Sequence, residues 1–502
     1  MTDRDHNANP TTPIAESTDH IVELAKIIQE SVATLARACK EGNVTFPSLD
    51  DQFTPASEAF RANVEANAAA TTITAAAFQL IANVMSPPAC VGSLISVSKA
   101  YQAATVRVCL EANVTEILRE AGPKGLHIDE IAEKAKLPAG KLGRIIRYLA
   151  TRHVYKEVRP DVFANTRLSG VMDTGKSVDA IQANPAAKHD NTWGFPALLG
   201  MQLDETAKAA PYLWDALADP ATAASVKVTD TAFNKAFNTN LSHFEWNELP
   251  EHSDILRRFN TAMHGVESVQ PPDQIFQAYG WDALPQGSVV VDVAGGTGAT
   301  SLALARKFKN LNVVLQDQPS VIAQAKSVFD AQLPDAIEGG QVTLQAHDFF
   351  EEQPVKNASV FILKQILHDW SDPYCVTILT RLREAAQPHT KLLVLDSLLQ
   401  NACPMPKNDE TSLIPGAVPQ EAPAPLLANY GVANGLGYLA DINMLIMYNA
   451  QERTIKEFDA LLKSTGWKIV KVVRTDGVSN FKQPFIAVPN LDSESKEDGA
   501  RA

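Results

Sequence analysis

The stretch VVVDVAGGTGATSLALARKF, which begins at Val289, constrains the fold of this chain more than any other. A short apolar run, residues 289–293, leads into Gly295, Gly296 and Gly298, and a helical pattern follows. Glycine takes positive φ without steric cost and lets a backbone approach a ligand closely. Further runs rich in Val, Ile and Leu recur at 312–315, 342–346, 360–363 and 391–395, with helical stretches between them. That alternation predicts an α/β fold, a parallel sheet with helices on both faces. Residues 469–473 and 484–488 are expected to add final, antiparallel strands. In an open parallel sheet, ligands bind beyond the carboxyl ends of the strands, so function is sought there.

Asp317 ends the second strand about 20 residues beyond Gly296, the place of an acid that binds ribose hydroxyls. The dinucleotide fingerprint G-x-G-x-x-G is incomplete, because Ser301 stands at its third position. Asp292, at the end of the first strand, would sit awkwardly beside a pyrophosphate but suits a cationic amino-acid group. A positively charged ligand bearing adenosine fits better, which points to S-adenosylmethionine; an NAD(P)-dependent dehydrogenase is the weaker alternative. Asp348 and Phe349, just beyond the third strand, could hold an adenine's amino group and ring face. The plainer reading makes Asp348 a helix cap and Phe349 a core residue. Lys364 leaves the buried fourth strand and needs an anion, for which the cofactor's carboxylate would serve. His368 comes one turn later, followed by Asp369 and Trp370. Two distant acids, Asp396 at the end of the fifth strand and Glu452 at the start of a late helix, could reach the same edge. A carboxylate on one ring nitrogen fixes the imidazole tautomer and leaves the other nitrogen free as a base.

The chain has 502 residues and a formal net charge of −14, which argues against nucleic acid or an anionic membrane as partner. Residues 1–18 and 490–502 are polar and are expected to be disordered. Residues 19–113 read as Ala/Thr-rich helices around a loop at 40–60; their low charge suits packing on a second copy of the chain, a homodimer. Residues 114–170 have the rhythm of a helix-turn-helix followed by a wing. With nine Lys/Arg from 126 to 170 against five Asp/Glu, this segment is either a DNA reader or a scaffold with a solvated basic face. Residues 171–270 are helical and rich in aromatics, and 271–489 form the nucleotide-type domain. Six prolines make 400–427 a surface insertion. Five scattered cysteines without metal spacing suit a reducing compartment. No signal peptide or membrane span is legible, so the expectation is cytoplasmic.

VDVAGGTG, LQDQPSVI, HDFF, LKQILHDWSD, LLVLD and ERTIKEF occur in the order and spacing of the plant and fungal S-adenosylmethionine-dependent O-methyltransferases of the caffeic-acid and flavonoid type. The chain resembles that family over about residues 90–490. The resemblance implies a Rossmann-like methyltransferase domain preceded by an α-helical, winged-helix dimerisation domain. It makes His368 the general base flanked by Asp396 and Glu452. It gives Asp292, Gly295, Gly296, Gly298, Asp317, Asp348, Phe349 and Lys364 to the cofactor, and it implies a small phenolic substrate and no metal. Trp246, Phe259, Met263, Met444 and Tyr448 are the candidates for the substrate wall, with ordinary core packing as the alternative for each. Three departures stand out. Ala294 replaces the first of three glycines, which a backbone contact tolerates if its φ stays negative. Asp396 stands where plant members usually have Glu, and the proline-rich insertion is longer. The rival reading is a regulator that binds the cofactor or DNA and has lost catalysis.

Overall fold

A computed structural model describes residues 18–268, 274–406, 408–474, 478–479 and 481–491. Nearly all of the two segments expected to be disordered lies outside these residues. The alternation after Val289 forms a seven-stranded sheet. Its strands are β1 (Ser288–Val293), β2 (Leu311–Asp317), β3 (Val342–Ala346), β4 (Ala358–Lys364), β5 (Lys391–Asp396), β6 (Trp467–Val472) and β7 (Gln483–Pro489). The order across the sheet is β6-β7-β5-β4-β1-β2-β3. Strands β1 to β5 are mutually parallel where they pair, and β7 is antiparallel to both β5 and β6. The sheet is covered on both faces, as the near-continuous apolar runs require. Val291, Phe361, Leu363, Leu392 and Val394 pack into one core cluster. Their strand neighbours Val290, Val360, Ile362, Leu393 and Leu395 pack into another. The side-chain period of two along each strand produces this split.

Strands β1, β2 and β3 are added in one direction across the sheet, and β4 and β5 continue from the other side of β1, so the parallel neighbours β1 and β4 flank the switch point and their carboxyl ends form a crevice there. The glycine turn lies at the end of β1, and the His368 loop leaves the end of β4. Gln365 turns the chain out of the sheet at φ +57, while its N–H still bonds Leu395 O at 3.0 Å.

Helices Val114–Ala121, Ile128–Ala135 and Ala139–Ala150, with a three-stranded sheet of Leu126–His127, Val162–Asn165 and Tyr155–Arg159, form the helix-turn-helix and wing. Ile131, Leu142, Ile146, Leu149 and Phe163 fill its core. Several of its basic residues are matched within the chain. Arg147 bonds Glu157 and Asp161, and Lys156 bonds Asp50. Upstream, helices Asp19–Glu41 and Val64–Val84 pack as a hairpin in which Leu24 and Ile27 meet Ala75 and Ala76. Small alanine side chains permit that approach. Thr71, Thr72 and Thr74 return their hydroxyls to carbonyls one turn back, which satisfies them inside the helix. The segment 40–60, expected as a loop, instead runs into a 3-10 helix, Pro55–Ala62, started by a Thr54–Ser57 capping box.

The proline-rich insertion is a surface loop with a packed end. Leu426 and the following Tyr430 join the hairpin cluster, and Gln79 Nε2 donates to Pro425 O at 3.0 Å. The insertion thereby ties the N-terminal hairpin to the sheet. Among the described residues no helix is long and apolar enough to cross a membrane.

Candidate active site

The turn after β1 is shaped by contacts that exclude side chains. A Cβ on Gly295 would lie 2.4 Å from Leu315 Cδ1 and 2.7 Å from Asp292 Oδ2. Gly296 and Gly298 have φ of +62 and +88. A Cβ at Gly296 would meet nothing within 4 Å, so that part of the turn faces open space. Ala294 has φ +55, so the condition of a negative φ under which alanine would be tolerated there is not met. The turn imposes left-handed geometry here too, at a cost of about 1–2 kcal/mol for a residue with a Cβ.

Asp292 is buried beneath the turn, and Ser301 Oγ donates to its Oδ2 at 2.6 Å. The serine that breaks the dinucleotide fingerprint therefore pins the strand acid. At the end of β2, Asp317 accepts from the N–H groups of Gly296 and Gln318, both at 2.8 Å. Burial nonetheless raises the Asp317 pKa, with the two backbone bonds opposing it. An acceptor-only carboxylate beside an open glycine turn suits a ribose diol, so these residues fit the adenosine part of the cofactor. Asp348 Oδ1 caps the N–H of Phe350 at 3.0 Å. Phe349 packs on the core and stands edge-on to Trp370 at 5.8 Å. Lys364 is the last residue of β4 and is half-buried.

His368 sits on a one-turn 3-10 helix, Leu367–Asp369. Its Nδ1 is 2.8 Å from Glu452 Oε1, across 84 residues of chain. Glu452 is 4% exposed, and Asp441 Oδ1 accepts its backbone N–H at 2.9 Å. Asp369 Oδ1 lies 3.6 Å from His368 Nε2. Asp396 is 1% exposed, and among the described residues both its carboxylate oxygens are buried without a hydrogen-bond partner. Three acids thus surround one imidazole. Burial alone would lower the His368 pKa, but Asp369, Glu452 and Asp396 together outweigh it and raise it to about 10. Burial raises Asp369 to about 6 and Asp396 to about 7, each opposed by the His368 charge.

Two residues that the sequence reading passed over hold this loop. Arg453 is fully buried and donates from Nη1 to Leu367 O at 2.7 Å and from Nη2 to Trp370 O at 2.9 Å. Its fork also takes Asp372 Oδ1 at 2.7 Å. The Cys375 thiol donates to the same two carbonyls at 3.3 Å. Adjacent residues in QERT therefore have divided duties: Glu452 holds the ring, and Arg453 holds the backbone on either side of it. The only sequence signal for Arg453 was its place next to Glu452.

The proposed substrate residues fall into two groups. Trp246, Met444 and Tyr448 are buried in one cluster with Phe233 and Met447, and Trp246 stands edge-on to Phe233 and Phe237. Phe259 is partly buried and stands edge-on to His243 and Phe244, and Met263 on the same helix is exposed.

The model of a family described as an O-methyltransferase domain matches residues 214–420. The chain is 44% identical over 468 residues to the protein named 4-O-methyltransferase 1 of Phanerochaete chrysosporium (strain RP-78 / ATCC MYA-4764 / FGSC 9002), covering 93% of this chain and 98% of that one. It is 33% identical to 3-O-methyltransferase 2 of the same organism, covering 92% and 96%. Among solved structures, it resembles OxaC, determined in complex with SAH and oxaline. The TM-score is 0.60 at 21% identity, over 93% of this chain and 100% of that one.

Proposed function

The chain belongs to the O-methyltransferase family, and from that premise we propose that it methylates a phenolic hydroxyl of a small aromatic secondary metabolite, with His368 as general base and no metal. The cofactor is S-adenosylmethionine, which when bound supplies a methyl group already activated on a positive sulfur. The Gly295–Gly298 turn, Asp292 and Asp317 would hold its adenosine and amino-acid parts, with Asp348, Phe349 and Lys364 at the neighbouring strand ends. The observation that carries the base assignment is the 2.8 Å contact between His368 Nδ1 and Glu452. It commits Nδ1–H to the carboxylate and leaves Nε2 to collect a proton.

The difficulty lies with the acceptor, since a phenol titrates near 10 and is mostly neutral at pH 7 (about 10 by reference values). An ordinary imidazole would be too weak a base by about 3.5 pKa units. The surrounding carboxylates close that gap by raising His368 to about 10. Such a base is protonated in the cofactor-free protein at neutral pH. It must release that proton before it can take the phenol's, so activity is expected to rise with pH toward about 10. Positioned bases of this kind contribute about 10²–10⁴-fold. Arg453 keeps the ring from drifting by fixing the carbonyls of Leu367 and Trp370. Among the described residues no three His, Cys, Asp or Glu side chains are grouped so as to hold a metal ion. A homodimer is part of the same proposal, supported by exposed apolar residues Val84, Val91, Ile95 and Tyr101 near the hairpin.

Incubation with methyl-labelled S-adenosylmethionine, a panel of phenols and EDTA tests this reading. Label on a phenolic oxygen, located by mass spectrometry and undiminished by the chelator, is expected. Transfer only to nitrogen or carbon, or activity that requires added metal, would refute it.

A further inference from the structure

The helices His243–Asn247 and Gly435–Tyr448 meet through polar side chains inside an otherwise apolar cluster. His243 Nδ1 lies 2.9 Å from the Tyr448 hydroxyl, and Asn247 Nδ2 lies 3.2 Å from His243 Nε2. His243 is 1% exposed, and the rings of Phe233, Phe259 and Tyr448 stand at steep angles around it. Burial lowers its pKa to about 4, so at neutral pH it is an uncharged ring with one donor and one acceptor. Apolar side chains would fill this volume without the desolvation that three polar groups require. Packing alone does not account for the trio.

The surroundings of Tyr448 lead to the reaction centre. Its ring stacks on Phe244 at 5.1 Å and 18°, and Phe244 lies nearly parallel to Trp370 at 6.3 Å and 21°. The chain then continues from Tyr448 to Glu452, the partner of His368. Burial keeps the Tyr448 phenol protonated well past its ordinary range, and the Asp369 charge adds to that effect. The same Asp369 carboxylate is 3.6 Å from His368 Nε2. The aromatic path from Tyr448 through Phe244 to Trp370 therefore ends two residues from His368. A hydroxyl offers one proton and two lone pairs, and among the described residues His243 occupies one of these three positions.

We propose that Tyr448, oriented by His243, is a specificity residue that hydrogen-bonds a second oxygen substituent on the aromatic acceptor while the first is methylated. The inference rests on the reading of a phenolic acceptor at His368. Its chemical consequence is a preference for rings that carry two oxygens over rings that carry one. A site built to bond a polar group discriminates strongly, because the analogue leaves a buried partner unmet.

The test compares 4-methylphenol with 2-methoxy-4-methylphenol, which differ by one ring methoxy, through the ratio of their kcat/KM values. In Tyr448→Phe the preference for the methoxy compound is expected to fall by about tenfold or more. His243→Phe should lower it in the same direction, because the hydroxyl loses the group that aims it. Calorimetric titration with SAH identifies variants that remain folded. An unchanged ratio in Tyr448→Phe overturns the proposal, whatever His243→Phe does. Failure of the wild-type protein to methylate either phenol while binding SAH would instead overturn the phenolic reading, and this inference with it.

Discussion

Replacing Glu452 by Gln keeps the shape of the side chain and removes its charge, so it isolates what the carboxylate does for His368. Two full charges 2.8 Å apart attract by about 6 kcal/mol at an effective dielectric of 20. With about half a proton's charge on the ring at the transition state, about 3 kcal/mol of that is at stake. The glutamine oxygen can still accept from Nδ1–H, which retains about 1 kcal/mol. The net loss of about 2 kcal/mol corresponds to about 30-fold in kcat. The pH dependence should move as well. Glu452 is one of the acids that raise the His368 pKa, so the ascending limb of kcat/KM should shift to lower pH in the variant. The assay is transfer of labelled methyl at saturating cofactor from about pH 5.5 to about pH 10, which spans the reference imidazole and phenol values. A kcat within threefold of wild type at every pH, or a limb that moves upward, would refute the electrostatic argument.

Asp396→Asn should stabilise the fold at pH 8 by about 1–3 kcal/mol while lowering activity. The Asp396 pKa is raised from 3.8 to about 7, so its penalty is absent below the unfolded value, grows as pH climbs through 7 and is complete above it. Melting at pH 4 and pH 8 checks the sign, and equal shifts at both would contradict it. His368 adds the same slope, since its stabilising share is present below 6.5 and is lost as pH rises through about 10. Ala294→Gly should leave activity intact and stabilise by about 0.5–1 kcal/mol in denaturant titrations, because the turn already demands positive φ. Gly295→Ala should do the reverse and weaken SAH binding in calorimetry, as its Cβ would strike Leu315 and Asp292. Arg453→Lys should cost about 2–4 kcal/mol and reduce kcat, because an ammonium cannot bridge two carbonyls and Asp372 as the fork does.

Those elements whose physics is local were legible from the sequence. The apolar runs with glycine turns and helices between them specified a doubly covered parallel sheet, and its edge gathered the residues of the crevice. The sequence brought His368 to one edge with two distant acids, Asp396 and Glu452, and of these it is Glu452 that meets the ring. What the sequence did not show depends on backbone partners or on exact distance. Arg453 and Cys375 act on the carbonyls of Leu367 and Trp370, which leave no trace in residue type. Asp369 was noticed, but nothing in the chain revealed its 3.6 Å approach to Nε2. Asp396 was expected to flank the ring, and its shorter side chain leaves both oxygens unbonded. Alanine at 294 was expected to be tolerated on condition of a negative φ, and the turn does not meet that condition. The His243–Tyr448 bond joins residues 205 apart and lies beyond any local pattern.

The central claim is that the His368 imidazole accepts the phenol's proton. Methyl transfer by His368→Ala, measured at saturating S-adenosylmethionine with a phenol that the wild type methylates, tests it most directly. The account predicts a fall of about 10²-fold or more with cofactor binding kept within a few-fold; a rate within threefold of wild type would contradict it.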